Sequence, residues 1–278
     1  MSPNYLAVFL TFARNSLIRD MTFRTNFFIE VISSMSWMIM NLGFYTLVYQ
    51  FTPDIEGWGK YQFFVFIATT MFINSLVQAF FMPNAQELSE LVRTGGLDFA
   101  LLKPIDTQFL VSLRRVNWSS LGNFGIALVL LAYALPKIEN LNLSIWQFLL
   151  YPAYILMGVL ILYSVMMTLA ATSIWLGRNQ SLYDFWFYIT NFSRYPMEIY
   201  KGTYGEPLRN LFTFVIPILV VINVPANLMA KPLGISSEAT TNRGMQLALF
   251  TLLATAGSLA FSRWIFKKAL GSYRSASS

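Results

Sequence analysis

The sequence predicts an all-α polytopic membrane protein with six transmembrane helices. Of its 278 residues, 56% are apolar and only 12% are charged, and the mean hydropathy is +0.53. Soluble domains are roughly one quarter charged, so this deficit indicates a chain that lies mostly in lipid. The chain has no cysteine and no histidine, which excludes disulfide frameworks, Cys/His zinc sites and Ser-His-Asp triads.

Residues 1–25 are predicted to form an amphipathic helix that lies in the membrane interface. Leu6, Leu10 and Leu17 recur at helical spacing, and polar residues such as Arg14 occupy positions between them. This pattern is typical of a helix whose apolar side enters the headgroup region. A plain solvated segment before the first span is the alternative.

A transmembrane helix needs about 20 mostly apolar residues. The stretches that meet this requirement, or nearly meet it, are 27–51, 61–82, 118–135, 148–176, 181–200 and 245–264. The fifth of these is aromatic and interrupted, and we assign it as a span, which makes six in all.

An external segment, residues 194–244, is predicted between spans five and six. Within it, residues 211–229 carry an apolar run that contains Pro217 and is followed by Pro225. This run is too short for a span and is broken by proline. It therefore predicts a re-entrant outer helical hairpin, which is stable at membrane depth only where protein or water surrounds it.

Lysine and arginine are predicted to concentrate on the cytoplasmic side, with both termini inside the cell. Most of the 19 basic residues fall in the loops that this topology makes cytoplasmic, as the positive-inside rule requires. The net charge of +6 then follows the inner leaflet, so no nucleic-acid partner is expected. The external loops 52–61 and 136–144 are expected to be simple connectors, and the expected location is a bacterial-type plasma (inner) membrane.

The longest loop, residues 83–117, is predicted to be cytoplasmic and to consist of a short amphipathic helix, a tight turn and a hydrophobic knob. A glycine pair stops the helix, and Lys103-Pro104 ends the knob. The two apolar strips comprise Leu88, Leu91 and Val92 before the turn and Leu97, Leu101 and Leu102 after it. Such strips suit docking into a groove of another protein. The alternative is that the loop lies along the lipid headgroups, and the pattern by itself favours neither.

Two stretches resemble the type-2 ATP-binding cassette (ABC) export permeases, in the branch with an R-x-G-x-L-D-x-x-L-x-x-P cytoplasmic loop. The residues that match this loop are Arg93, Gly95, Leu97, Asp98, Leu101 and Pro104. The proline-punctuated outer segment of that branch is matched by Arg194, Tyr195, Pro196, Ile199, Tyr200, Arg209, Pro217, Pro225 and Ala226. The resemblance covers essentially the whole chain, as one transmembrane permease domain of residues 1–278.

The resemblance implies an export permease subunit that pairs with a second permease chain, identical or paralogous. Each half would rest on a separate ATPase subunit, which holds ATP and Mg²⁺. The interface helix and the 83–117 coupling loop would touch that ATPase, with docking residues Leu88, Leu91, Arg93, Gly95, Gly96, Leu97, Asp98, Leu101 and Pro104. The outer segment would cap the exit, through Pro196, Tyr200, Pro217 and Pro225. The cargo would be amphipathic: a drug or toxic compound as in multidrug efflux, a lipid or a glycan.

The chain itself carries no G-x-x-x-x-G-K-[ST] phosphate loop, so we expect it to bind no cofactor and to perform no catalysis. Its spans are almost free of charge, with Glu30 and Asp184 near their inner ends. Ion-coupled carriers place ionisable groups at the midplane, so this absence favours an external energy source. The alternatives are an ion-coupled secondary transporter and a membrane scaffold subunit without transport activity.

The residues that are predicted to line the pathway are amides and aromatics. The set comprises Asn41, Asn74, Gln78, Trp186 and Tyr188. Polar side chains in hydrocarbon need a partner helix or water, so contacts between helices are the alternative for the amides. For the aromatics, the alternative is an interfacial belt.

Overall fold

The computed structural model describes residues 4–139, 141–176, 187–188, 190–231 and 238–274, with the backbone alone for 238–243. Its α-helices are α1 Tyr5–Thr22, α2 Arg24–Phe51, α3 Lys60–Phe80, α4 Met82–Arg93, α5 Gly96–Leu101, α6 Thr107–Leu113, α7 Gly122–Ala134, α8 Ile145–Ala171, α9 Ser173–Leu176, α10 Gly202–Asn210, α11 Leu219–Ala230 and α12 Glu238–Gly271. Short 3-10 turns cover Ser119–Leu121, Leu135–Lys137, Phe192–Arg194 and Met197–Ile199, and a π-helical turn covers Leu211–Val215. Strands β1 Asp54–Ile55 and β2 Trp58–Gly59 form an antiparallel hairpin.

Long apolar helices dominate the described chain and confirm the all-α polytopic fold. Five stretches are long and apolar enough to cross a membrane, namely Arg24–Phe51, Lys60–Arg93, Ser119–Lys137, Ile145–Leu176 and Gly244–Gly271. A further pair, Gly202–Val215 and Leu219–Ala230, is bent by 91° and would be a sixth span if it crossed as one. Of the predicted span 181–200, residues 181–186 and 189 lie outside the described residues, and Phe192–Arg194 and Met197–Ile199 form 3-10 turns rather than one continuous helix. The count of six and the re-entrant hairpin therefore stay predictions.

Helix α1 is amphipathic in the structure. The side chain of Asn4 caps its first turn by accepting a hydrogen bond from the backbone N–H of Ala7 at 3.1 Å. One face packs on the chain, where Ser16 Oγ accepts from Val116 N and the indole of Trp118 donates to the carbonyl of Ala13. The opposite face leaves an apolar stripe exposed, made of Leu6, Leu10, Leu17, Ile18 and Met21. Such a stripe is what an interfacial helix presents to lipid.

Helix α8 is the centre of the bundle, where it contacts α3, α4, α11 and α12. The main core joins aromatic side chains of α3 to α8 and α11. Within it, the hydroxyls of Thr69 and Tyr151 lie 2.8 Å apart and hydrogen-bond to each other. The bond keeps both polar atoms satisfied where no water is available.

The closest approach of α8 to α11 is at a glycine. A Cβ on Gly158 would lie 2.9 Å from the carbonyl oxygen of Val221 and 3.2 Å from Ile73. Pro225 lies four residues after Val221 inside α11 and has no N–H, so this carbonyl lacks its usual helical donor. Because position 158 has no side chain, α8 can approach α11 at the carbonyl of Val221, which lacks that helical donor.

Three buried amide side chains close the breaks between helices. Asn84 accepts from Arg115 N and donates to the carbonyls of Phe80 and Arg115. Asn223 accepts from Met197 N at 2.8 Å. Gln147 accepts from Ser144 N at 2.9 Å and donates to the carbonyl of Leu228 at 2.7 Å. Each amide thus satisfies backbone groups that a helix end leaves without partners.

The 52–61 loop, expected to be a simple connector, is a built hairpin. Glu56 and Gly57 both have positive φ, at 53° and 78°, as a two-residue hairpin turn of the primed type requires. The carboxylate of Asp54 accepts a hydrogen bond from Gly57 N at 2.8 Å and fixes this turn. The strand pairing then places Trp58 where it is fully buried.

The glycine contact predicts a difference between two helical Gly→Ala substitutions. Gly158→Ala should lower the free energy of unfolding by about 1–3 kcal/mol, because the new methyl overlaps a backbone oxygen that cannot move aside. The matched control is Gly257→Ala in α12, where an added Cβ meets nothing within 4 Å. It should be neutral or stabilising by up to about 1 kcal/mol. Unfolding of both variants in detergent measures the difference, and equal stability would contradict the packing.

Candidate functional site

The α4–α6 module, residues 82–113, is packed against the ends of α8 and α12 by a second hydrophobic cluster. The module supplies Leu88, Val92, Leu97, Ala100, Leu110 and Val111; the two long helices supply Met167, Ala171, Phe266 and Ala269. The predicted short helix and glycine stop are both present. The third helix of the module, α6, was not predicted, and it completes the cluster from the far side.

The turn between α4 and α5 depends on its two glycines. Gly95 has φ +72°, a left-handed conformation that favours glycine. A Cβ on Gly96 would lie 2.9 Å from the side chain of Leu91. Just before the turn, the guanidinium of Arg93 forms a bidentate pair with Glu90 on the exposed surface. The glycines thus set the path of the chain, while the ion pair lies outside the cluster.

The predicted docking residues separate into two groups. Leu88 and Leu97 are 0% exposed, since they lie inside the cluster, and Leu91 is half-buried beside them. Their side chains are therefore not on the surface that another protein would meet.

The exposed apolar residues of the module are Phe99 at 73%, Leu102 at 81% and Leu101, followed by exposed Lys103 and Pro104. Of the other predicted residues, Arg93 is exposed, and Gly95, Gly96 and Asp98 are half-buried.

An ion pair joins the module to α12. Asp106 precedes α6, where its carboxylate accepts from Phe109 N at 2.9 Å, and it also binds both terminal nitrogens of Arg263. The hydrogen bond from the Arg263 guanidinium holds the pKa of the Asp106 carboxyl below its ordinary value, against a smaller opposing effect of burial. One carboxylate thus caps α6 and fixes it to a helix 157 residues away in sequence.

The same arginine continues into a polar chain that reaches α8. Arg263 also donates to Gln108 at 3.0 Å, and Gln108 donates to the hydroxyl of Tyr163 at 3.1 Å. Ser112 lies 2.9 Å from that hydroxyl. The module is consequently attached to α8 and α12 by hydrogen bonds as well as by apolar packing.

A second cluster lies at the opposite end of α3, around the β-hairpin. The indole of Trp58 donates to Glu198 at 3.1 Å, and the ammonium of Lys231 lies 4.3 Å from the centre of the Trp58 ring. Burial lowers the pKa of Lys231, while the Glu198 carboxylate opposes this shift. The hydroxyl of Tyr49 donates to the carbonyl of Trp58 at 2.8 Å. The hairpin therefore joins α2 to the segment that follows residue 190.

The predicted exit-cap residues all belong to this segment. Pro196 is buried and precedes Met197, whose N–H is held by α11. Tyr200 donates to the carbonyl of Phe192 at 2.9 Å. Pro217 lies in the break before α11, between the two bent helices. Pro225 is buried within α11, which continues through it.

The predicted pathway residues that the structure describes do not form one site. The amide of Asn41 donates to the carbonyl of Trp37 in its own helix at 2.8 Å. Asn74 is half-buried and Gln78 is exposed, one turn apart on α3. Tyr188 is exposed, and Trp186 lies outside the described residues.

Sequence reasoning missed the residues that connect distant parts of the chain. Asp106 and Arg263 are 157 positions apart, and Trp58 and Glu198 are 140 apart, so no local pattern pairs them. The hairpin did carry a local signal, since an aspartate three residues before glycine is typical of a fixed turn. Among the described residues, no group of three or more acidic side chains could hold a metal ion.

Comparison with known proteins gives one match. A family model described as an ABC-2 family transporter protein matches residues 35–277. No curated protein and no solved structure matches the chain. The matched range includes the whole α4–α6 module and the hairpin cluster, and it starts within α2.

The Asp106–Arg263 pair predicts a loss of stability in Asp106→Asn. Asparagine keeps the cap of α6 but removes the charge, so the free energy of unfolding should fall by about 1–2 kcal/mol at pH 7. Hydrogen bonds to charged groups contribute roughly 1.5–3 kcal/mol, and the partial exposure of the pair reduces this. Chemical unfolding in detergent measures the change.

The control is Glu90→Gln, which breaks an exposed pair on the same module and should change stability by no more than about 0.5 kcal/mol. Because the pKa of folded Asp106 is lowered, its contribution is complete above the ordinary carboxyl pKa of about 4. It is lost as the pH falls through the lower, folded value. The difference between wild type and Asp106→Asn should therefore shrink below about pH 4. Equal stability at pH 7 would contradict the role of the pair.

Proposed function

The chain belongs to the ABC-2 family of transporter proteins, and from this premise we propose that it is the permease subunit of an ABC exporter. Membership makes the chain a transport component of the membrane rather than a catalytic subunit. In the proposed assembly, a separate ATPase subunit binds ATP and Mg²⁺, and a second permease chain, identical or paralogous, completes the path. The observation that carries this proposal is the α4–α6 module, which is attached to α8 and α12 by packing and hydrogen bonds and which exposes an apolar stretch at Phe99, Leu101 and Leu102.

The apolar knob of the module, Phe99 to Pro104, is the surface that we assign to the ATPase. Phe99 and Leu102 are mostly exposed although the rest of the module is packed. A short exposed apolar element beside Lys103 fits a groove that is apolar at its base and acidic at its rim. The buried strip at Leu88 and Leu97 supports this surface from behind and does not form it.

The attachments of the module provide a way to pass force into the membrane. A load on the knob reaches α8 through Leu97 and Met167, and it reaches α12 through Asp106 and Arg263. Packed side chains and bidentate ion pairs resist deformation. Movement of the ATPase should therefore move the ends of α8 and α12 with the module.

The hairpin cluster and the bent pair of helices are assigned to the outer side, as the exit cap. This places both termini in the cytoplasm of a bacterial-type plasma membrane. Supporting this assignment, the hairpin and the module lie at opposite ends of α3, so one of them faces each side if α3 spans. The bend at Pro217 keeps α10 and α11 from crossing as one straight helix.

Helix α2 supports a second permease chain. None of the 28 residues of α2 is buried, although the helix is long enough to span. The predicted pathway amides Asn41 and Gln78 are likewise not enclosed by this chain. We assign the path to the space between two chains, where a lining with few charges suits an amphipathic cargo such as a drug, a lipid or a glycan.

An ion-coupled mechanism has less support in the residues. Across α2, α3, α7, α8 and α12 from residue 244 onward, Glu30 is the only carboxylate. It lies in the second turn of α2 and accepts a hydrogen bond from Ser119. A coupling site needs an ionisable group near the middle of the bilayer, and these helices offer none.

The docking surface predicts that a double variant, Phe99→Asp with Leu102→Asp, releases the ATPase without unfolding the permease. Burying each apolar side chain contributes roughly 1.5–3 kcal/mol, so docking should weaken by about 100-fold or more. Stability should stay within about 0.5 kcal/mol of wild type, because both side chains are exposed. Co-purification of the ATPase, and its turnover in lipid, measure the loss.

The matched control is Leu97→Ala, which acts from inside the module. It should cost about 2–5 kcal/mol of stability by leaving a cavity. Full ATPase binding by the double aspartate variant would refute the knob as the docking surface. Loss of binding in Leu97→Ala at temperatures where it remains folded would place the contact elsewhere on the module.

The orientation predicts opposite labelling of two single-cysteine variants. The chain has no native cysteine, so Pro53→Cys at the hairpin and Lys103→Cys on the knob each introduce one exposed thiol. A membrane-impermeant maleimide added to intact cells should label Pro53→Cys and should label Lys103→Cys only after permeabilisation. The reverse pattern would place the module outside and overturn the assignment of both surfaces.

A further inference from the structure

A cavity of about 380 Å³ lies at the elbow between α1 and α2. It is lined by the end of α1, the first turns of α2, the start of α4 and the 115–119 segment. Its charged lining residues are Arg19, Asp20, Glu30 and Arg115. The proposed transport cycle uses none of these residues, although two arginines and two acidic residues border one space.

Both arginines keep donors for a further acceptor. Among the described residues, the Arg19 guanidinium hydrogen-bonds only to its neighbour Asp20, at 3.3 Å. Arg115 pairs with Glu87 at 3.0 Å through one terminal nitrogen. A guanidinium has five N–H donors, so a phosphate in the cavity can accept from both without breaking either pair.

The carboxylates lie on the same cavity and favour a cation there. Glu30 accepts from Ser119, and Asp20 accepts from Trp118 N at 3.3 Å. Each carboxylate has about four acceptor positions, so both keep capacity for N–H donors of a ligand. The cavity therefore offers donors for an anion and acceptors for a cation, and its four charged groups sum to zero.

The surroundings place the cavity at the depth of lipid headgroups. The exposed stripe of α1 lies before the elbow, and the long apolar helix α2 begins just after it. Phe23 and Phe27 line the cavity itself. Beyond them, Phe28 and Ile29 expose apolar surface. A ligand with a charged head and hydrocarbon tails would thus have both parts accommodated.

We propose that this elbow cavity binds the headgroup of a zwitterionic phospholipid with a primary amine, a phosphoethanolamine lipid. The phosphate accepts from Arg19 and Arg115, the ammonium donates to Glu30 and Asp20, and the acyl chains run past Phe23 along α2. The bound lipid joins α1, α2 and the 115–119 segment. This site is independent of the proposed export function.

Charge and hydrogen bonding select this headgroup over two others. A phosphoglycerol lipid has a net negative charge and supplies no cation, so Asp20 and Glu30 would meet only neutral hydroxyl donors and the occupied cavity would carry a net negative charge. A phosphocholine lipid has a quaternary ammonium with no N–H, so it cannot donate to those carboxylates. Only the primary ammonium satisfies both halves of the cavity.

The test measures lipid binding to the purified full-length chain by native mass spectrometry. Dioleoyl lipids with phosphoethanolamine, phosphocholine or phosphoglycerol headgroups are titrated from mixed micelles. We expect one phosphoethanolamine lipid to bind at least tenfold more tightly than the other two. Soluble O-phosphoethanolamine should compete only at far higher concentration, because it lacks acyl chains; competition at the same concentration would refute a lipid site.

Two variants attribute the binding to the cavity. Glu30→Gln should lose the preference for phosphoethanolamine over phosphoglycerol, because it removes an anionic acceptor. Asn26→Phe should block all three lipids by filling the space, and the Asn26 side chain makes no hydrogen bond to the described residues that this change would break.

The control is Arg93→Gln, which removes an exposed arginine outside the cavity and should leave binding unchanged. Equal affinity for the three headgroups in wild type would overturn the proposal. So would wild-type binding in Asn26→Phe, or an unchanged preference in Glu30→Gln. Because none of these measurements uses the ATPase, their failure would leave the export function untouched.

Discussion

The fold depends on a few amide side chains that satisfy backbone groups where helices break. In hydrocarbon, an unpaired N–H or C=O has no water to bind, so a break is stable only if protein supplies the partner. Asn84, Gln147 and Asn223 are almost completely buried, and each bridges two segments of backbone. A carboxamide carries both a donor and an acceptor without charge, which suits this task better than a carboxylate or an ammonium.

Each of the three amides lies next to the α4–α6 module or next to α11, which belongs to the proposed exit cap. Asn84 holds the start of the α4–α6 module to the chain that returns at Arg115. Gln147 joins the last turn of α11, at Leu228, to the start of α8, and Asn223 joins the middle of α11 to Met197. Between these points runs α8, whose 27 residues span about 40 Å at the helical rise. The module and α11 both pack against this one continuous helix.

The sequence predicted the features that depend on local composition. Long apolar runs located the five long helices that could cross a membrane, the glycine pair located the turn at residue 95, and Pro217 located the bend. Whether an apolar side chain is covered depends, however, on elements that are distant from it in sequence. Leu97 and Phe99 are both apolar and two positions apart, yet one is fully buried and the other exposed, because α6 and α12 cover only the first.

The same limit explains the missed polar contacts. Arg263 is one of 19 basic residues in the chain, and the charge distribution alone cannot distinguish an arginine that orients the chain from one that binds Asp106. The distinction requires the fold, since the partners come from opposite halves of the sequence. The hairpin at Trp58 is different, because its turn chemistry is local and was present in the sequence.

Helix α2 shows how lipid changes the meaning of exposure. In water, a helix with so many exposed apolar side chains would need a partner, but lipid solvates them at no cost. Two of its polar side chains bond within the helix: Ser36 donates to Ile32 O, and Asn41 donates to Trp37 O. The free energy of α2 is therefore similar whether the helix contacts lipid or another helix. In a permease built from two chains, such a helix can exchange one neighbour for the other during the cycle, while α8 and its buried amides keep the rest of the subunit fixed.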